Sequence, residues 1–121
     1  MLCLLALYAC RSEKYAEGKR IYQANCSNCH MDDGSGLGRL IPPLYDQNYL
    51  TQNEDNLVCI ILNGQQGPIV VNDNNYNGIM PAAELSDVQI LNLINYFTNE
   101  WGNDMGYTTI TEIQKRKKNC D

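Results

Sequence analysis

Cysteines at positions 26 and 29 and the chain's one histidine, His30, stand together in the stretch CSNCH. Cysteines at i and i+3 near the end of a helix lie on one side, about one turn apart. With an imidazole next in the chain, two thiols and a ring nitrogen converge on one flat object. A zinc site needs four ligands, usually from a second pair of similar spacing, and Cys59 and Cys120 stand alone. A thioredoxin-like redox pair needs a βαβ setting, which a helix running straight into Cys26 opposes. A plain disulfide gives the histidine no role. C-x-x-C-H is the attachment pattern of c-type haem: the thiols add across two vinyl groups and the imidazole takes the iron from one face.

With no second histidine, the opposite iron face falls to a methionine, to something unusual, or to nothing. The methionines are Met1, Met31, Met80 and Met105. Met31 adjoins His30 and cannot reach around, and Met1 belongs to the leader. Met105 follows a helix end where nothing in the sequence fixes it. Met80 sits in NGIMPAAELS, where Gly78 allows close approach and Pro81 stiffens the chain just past the sulfur. The plainer reading of Met80 is a flexible core filler.

The elements that must position these groups are mostly helical. Ser12 to Asn25 reads as a capped helix with Tyr15, Ile21 and Tyr22 on one side. DGSGLG is a loop, and IPPL ends it with a rigid extended segment. Thr51 and Glu54 form a capping box ahead of NLVCIIL, a helix that Gly64 stops. GPIVVNDNNYNGIMP reads as a short hairpin. Ser86 and Gln89 make a second capping box for a helix ending near Trp101-Gly102, and Thr111 to Lys118 is one more short helix.

A length of 121 residues fits one domain. A net charge of −5 argues against a nucleic-acid partner, since phosphate binding needs a basic surface. Between Leu40 and Gln114 there are nine Asp or Glu and no Lys or Arg, whereas residues 115–118 are all basic. The opening MLCLLALYAC is too short to span a bilayer. It fits a secretory leader over residues 1–9, and Leu7-Tyr8-Ala9-Cys10 resembles a bacterial lipobox in which Cys10 is lipidated. The usual positive residues ahead of the apolar run are missing, so an unlipidated exported protein and a buried first helix remain as alternatives.

From about Tyr15 to Lys118 the chain resembles the class I c-type cytochromes, especially small bacterial monohaem ones. The matching stretches are GKRIYQANCSNCH, DGSGLG, IPPL, NGQQGPIVVNDNNYNGIMP and LSDVQILNLINYFTNEWGN. The resemblance implies an all-α cytochrome c fold over residues 10–121. Four to five helices would surround one covalently bound haem c, with a short hairpin-like loop before the methionine ligand. It implies Cys26 and Cys29 as thioether anchors and His30 and Met80 as axial ligands. A proline carbonyl orients the histidine in the family; Pro42 matches that position, with Pro43 possible, and such a bond raises ligand basicity. Met31 departs from the small residue many relatives carry there.

Six cysteines then partition: Cys3 leaves with the leader, Cys10 carries lipid, Cys26 and Cys29 hold haem, and Cys59 and Cys120 remain. In an oxidising compartment the last two can pair; alternatively Cys59 is a core residue and Cys120 a terminal thiol. The expected function is one-electron transfer on the periplasmic side of a bacterial membrane, with the haem edge beside the cysteines as the port. The alternative is the cytochrome subunit of a larger respiratory oxidoreductase or dehydrogenase. A gas sensor or peroxidase-like protein would need a labile Met80, and a structural domain would need no haem. The expected partners are redox proteins, at least one with a basic docking patch. No small-molecule substrate and no enzymatic activity are expected.

Overall fold

The computed structural model describes residues 14–45 and 48–120. The expected leader, the lipid site Cys10 and the cap Ser12 lie outside those residues. Helix α1 (Ala16–Asn25) opens at Tyr15 without a side-chain cap, and α2 (Ser27–His30) follows at once. Cys26 breaks the two apart with φ −124° and ψ −35°. Its carbonyl nonetheless accepts from the Cys29 and His30 amides, at 3.2 and 2.9 Å.

Helix α3 (Asn48–Gln52), a 3-10 turn (Glu54–Asn56) and α4 (Leu57–Asn63) come next. The capping box expected from Thr51 and Glu54 does not form. Thr51 lies inside α3, the chain breaks at Asn53, whose Nδ2 donates to the Tyr49 carbonyl at 2.8 Å, and α4 begins without a side-chain cap. The carboxylates of Glu54 and Asp55 go instead to Arg116, at 3.6 and 3.2 Å. A distant cation has outcompeted a local backbone amide. Gly64, at φ +76°, ends α4 as its position predicts.

Strands β1 (Ile69–Val71) and β2 (Asn74–Tyr76) pair antiparallel with Ile69 opposite Tyr76. The turn residues Asn72 and Asp73 both take positive φ, 50° and 63°, as a tight hairpin turn requires. Helix α5 (Asp87–Phe97) has the expected Ser86–Gln89 capping box but stops short of Trp101. Side chains take over the backbone there. Asn103 Nδ2 donates to the Phe97 carbonyl at 2.9 Å, and Asn99 Nδ2 donates to those of Asn95 and Gly106, at 3.0 and 2.9 Å. Helix α6 (Ile110–Lys118) begins one residue before the expected start, under a Thr109–Glu112 capping box that the sequence reading missed. Six α-helices result among the described residues rather than four to five, because α1 and α2 separate at Cys26 and α3 precedes α4.

Helices α1 and α5 cross in close contact. A Cβ at Gly18 would lie 2.1 Å from the Asn92 carbonyl oxygen, so only glycine admits this approach. Tyr22, Tyr96 and Trp101 pack beside the crossing with ring centroids 5.1–5.7 Å apart. The core continues through Val58, Ile61, Ile90, Leu93 and Ile94 to Ile113 of α6, all of them buried. Cys59 and Cys120 form a disulfide with Cα atoms 5.4 Å apart, settling the pairing left open by the sequence and tying α6 to α4. Lys117 adds an ion pair to Asp87 at 2.8 Å.

The bridge closes a separation of 61 residues, and disulfides typically contribute about 2–4 kcal/mol. Cys120→Ser should lower the unfolding free energy by about that amount in chemical denaturation. Non-reducing peptide mapping should recover Cys59 linked to Cys120, and two free thiols in the oxidised protein would contradict the fold's closure.

Candidate functional site

His30 is buried at the end of α2 with Nδ1 3.0 Å from the Pro42 carbonyl oxygen. A carbonyl only accepts, so Nδ1 carries the proton and Nε2 keeps the lone pair. Pro42, not Pro43, is the partner. The loop that delivers it folds back on α2: the Gly36 amide donates to the His30 carbonyl at 2.9 Å, and Leu37 pairs with Ile41. Gly36 has φ +72°, and a Cβ there would meet the Ile41 oxygen at 2.3 Å. Burial lowers the His30 pKa and the Pro42 bond partly restores it, so the ring is neutral at pH 7 and able to bind a metal.

Both thiols of the motif are free, Cys29 exposed and Cys26 half-buried. Burial, with help from Cys29, pushes the Cys26 thiol up to about 11. The thiol is therefore protonated at neutral pH.

Met80 is carried by a segment laid against the end of α4. Its amide donates to the Gln65 carbonyl at 2.8 Å, and the Gln65 amide donates back at 3.0 Å. Gly64 makes that approach possible, since a Cβ would stand 2.4 Å from the Met80 oxygen. The Ala83 amide, bonded to the Ile61 carbonyl at 2.9 Å, fastens the same segment further along.

Between these two walls lie two neighbouring cavities. His30, Pro42, Gln65, Ile69 and Met80 line both, Cys29 borders the first and Cys26 the second. The five residues the sequence singled out therefore meet at one slot. Among the described residues no Lys, Arg, Asp or Glu lines either cavity. Met105 lines neither; contrary to expectation its backbone is fixed, its amide donating to the Thr98 carbonyl and Asn99 Oδ1, each at 3.1 Å. Among the described residues no cluster of three or more His, Cys, Asp or Glu could hold a bare metal ion. An apolar slot with two free thiols at its margin and a neutral imidazole on its wall fits a flat, covalently attached iron macrocycle. Tyr49 and Gln65 also line the slot, and sequence reasoning missed them. Their positions follow from a contact between segments far apart in the chain, which no local pattern announces.

The Cytochrome c family model matches residues 15–101. The chain belongs to the cytochrome c family. It is 35% identical to cytochrome c-552 of Thermus thermophilus over 92 residues, covering 72% of this chain and 70% of that protein. A second cytochrome c-552 of the same species is equally similar, with 62% of its length covered. The cytochrome c subunit of the quinone alcohol dehydrogenase of Gluconobacter oxydans is 31% identical over 102 residues, but the chain spans only 21% of that longer protein. The family's cofactor is covalently bound haem c with its iron, and the helix-rich architecture with one small hairpin is consistent with the cytochrome c fold. Helix α6 lies beyond the matched residues.

Proposed function

We propose that this cytochrome c is a one-electron carrier in a respiratory or periplasmic chain, with Cys26 and Cys29 as thioether anchors and His30 and Met80 as axial ligands. The observation that carries the ligand assignment is that His30 and Met80 line the same two cavities while Met105 lines neither. Bound haem supplies the Fe(III)/Fe(II) couple. Pro42 holds the imidazole in the tautomer that offers Nε2, which raises its donor strength. A thioether from Met80 favours the reduced state more than a stronger donor would. Two protein ligands leave no open position for a small-molecule substrate, so the chain itself is not an enzyme. Exposed Cys29 marks the margin at which electrons enter and leave. The Gluconobacter oxydans relative supports a second reading, a cytochrome subunit of a larger oxidoreductase.

The mature domain is residues 10–121, exported after loss of residues 1–9 and anchored by lipid at Cys10. No helix among the described residues is long and apolar enough to cross a membrane. At least one redox partner presents a basic patch. Glu54, Asp55 and Asp87 are engaged by α6, but Asp73 and Glu84, on either side of Met80 in the chain, are exposed. Charge of this kind speeds brief encounters without adding much lasting affinity.

In Met80→Ala the sulfur-to-iron charge-transfer band should vanish, the potential should fall, and the reduced protein should bind carbon monoxide. A band that survives the substitution excludes Met80 as the ligand. Cys10→Ser should move the protein from the detergent phase into water, and an intact Met1 in the mass spectrum would reject both cleavage and lipidation. Electron transfer to the basic partner should slow between about 10 and 150 mM salt, as the screening length drops from ~30 to ~8 Å. Asp73→Lys or Glu84→Lys should weaken that dependence more than Lys117→Glu. A rate flat in salt would dismiss the acidic face as a docking determinant.

A further inference from the structure

The second cavity is lined almost wholly by apolar side chains. Among the described residues, and apart from the motif's own Cys26 and His30, its polar members are Tyr49 and Gln65. Polar groups turned toward an apolar slot cost stability unless bonded, and one bond joins these two: Gln65 Nε2 donates to the Tyr49 hydroxyl oxygen at 3.2 Å. Both ends of this link are anchored. The Gln65 amide and carbonyl are both bonded to Met80, and Gly64 beside it, lacking a Cβ, lets the two segments lie that close. The Tyr49 carbonyl accepts from the Asn53 amide at 3.1 Å and from Asn53 Nδ2 at 2.8 Å. Gln65 thus joins the methionine segment to α3 through one side chain.

The direction of the bond matters. The Tyr49 oxygen spends acceptor capacity on Gln65, so its own O–H is released to point elsewhere. We propose that Gln65 is a positioning residue for electron transfer: it holds Met80 through its backbone and turns the Tyr49 hydroxyl proton into the slot. This rests on the reading of Met80 as the iron's ligand. A donor dipole fixed in a dry, weakly polarisable site stabilises added negative charge far better than the same dipole in water. The pair therefore favours the reduced protein, acting on the couple without touching the iron.

The test uses the mature holoprotein. Gln65→Leu keeps the backbone bonds to Met80 and loses only the amide group, and Tyr49→Phe removes a single oxygen. Each should lower the equilibrium constant for reduction about threefold, a potential drop of about 28 mV at 59 mV per tenfold. The double variant should fall no further than either single one, because the residues act as a unit. The charge-transfer band should persist in all three, since the Gln65–Met80 backbone pairing remains. Unchanged potentials with the band intact overturn this proposal alone, as do drops that add in the double variant. A role confined to packing would lower the melting temperature and leave the potential in place, which also counts against it. Absence of the band from the parent protein overturns the Met80 reading and this proposal together.

Discussion

The bond from His30 Nδ1 to the Pro42 carbonyl selects the imidazole tautomer, because a carbonyl cannot donate, and together with the Gly36 amide on the His30 carbonyl it joins the end of α2 to the loop that follows. The loop's glycines serve that bond. A Cβ at Gly36 would stand 2.3 Å from the Ile41 oxygen, and one at Gly34 would meet the Trp101 ring at 2.5 Å. The first glycine brings Pro42 to the histidine; the second lets the segment after α5 cover the loop. A wall of the slot is thus assembled from three separate stretches around one hydrogen bond.

The opposite wall is built on a different principle. Met80 is fixed by a two-bond backbone bridge to Gln65 at the end of α4, so its position depends on where α4 stands. Helix α4 is seven residues long, too short to hold a place by its own helical propensity. It is held from behind by α6, through the Cys59–Cys120 disulfide, buried Ile113 and the ion pairs of Arg116. Arg116 is mostly buried but its partners Glu54 and Asp55 are exposed, so its ion pairs, like Lys117–Asp87, add only modestly to the disulfide and the packing of Ile113. The basic C-terminal helix, lying beyond the family match, therefore supports the methionine side of the site from outside. It also shows why acidic residues counted along the sequence overstate the free negative surface: α6 has taken three of them.

Much of this was legible from residue types alone. Cys26, Cys29 and His30 announce themselves by spacing, because attaching a planar group needs thiols one helical turn apart and an imidazole beside them. The Ser86–Gln89 box and the Asn-Asp hairpin turn are local signals, and each appears where the sequence puts it. The failures have a common cause. Thr51–Glu54 had the pattern of a cap but lost its carboxylate to Arg116, and α5 ended early because Asn99 and Asn103 captured its backbone. In each case a partner distant in sequence or outside the helical pattern offered a better bond than the local one.

The sequence by itself determined the helical class, the attachment chemistry and the candidate ligands, since these depend on side-chain identity at fixed short spacings. The tertiary structure decided which proline faces the histidine and whether Cys59 meets Cys120. It also decided that Gln65 and Tyr49 enter the slot beside Met80. Those outcomes depend on the relative placement of segments 12 to 61 residues apart. That placement is set by the close α1–α5 crossing at Gly18 and the packing built on it, which no window of neighbouring residues contains.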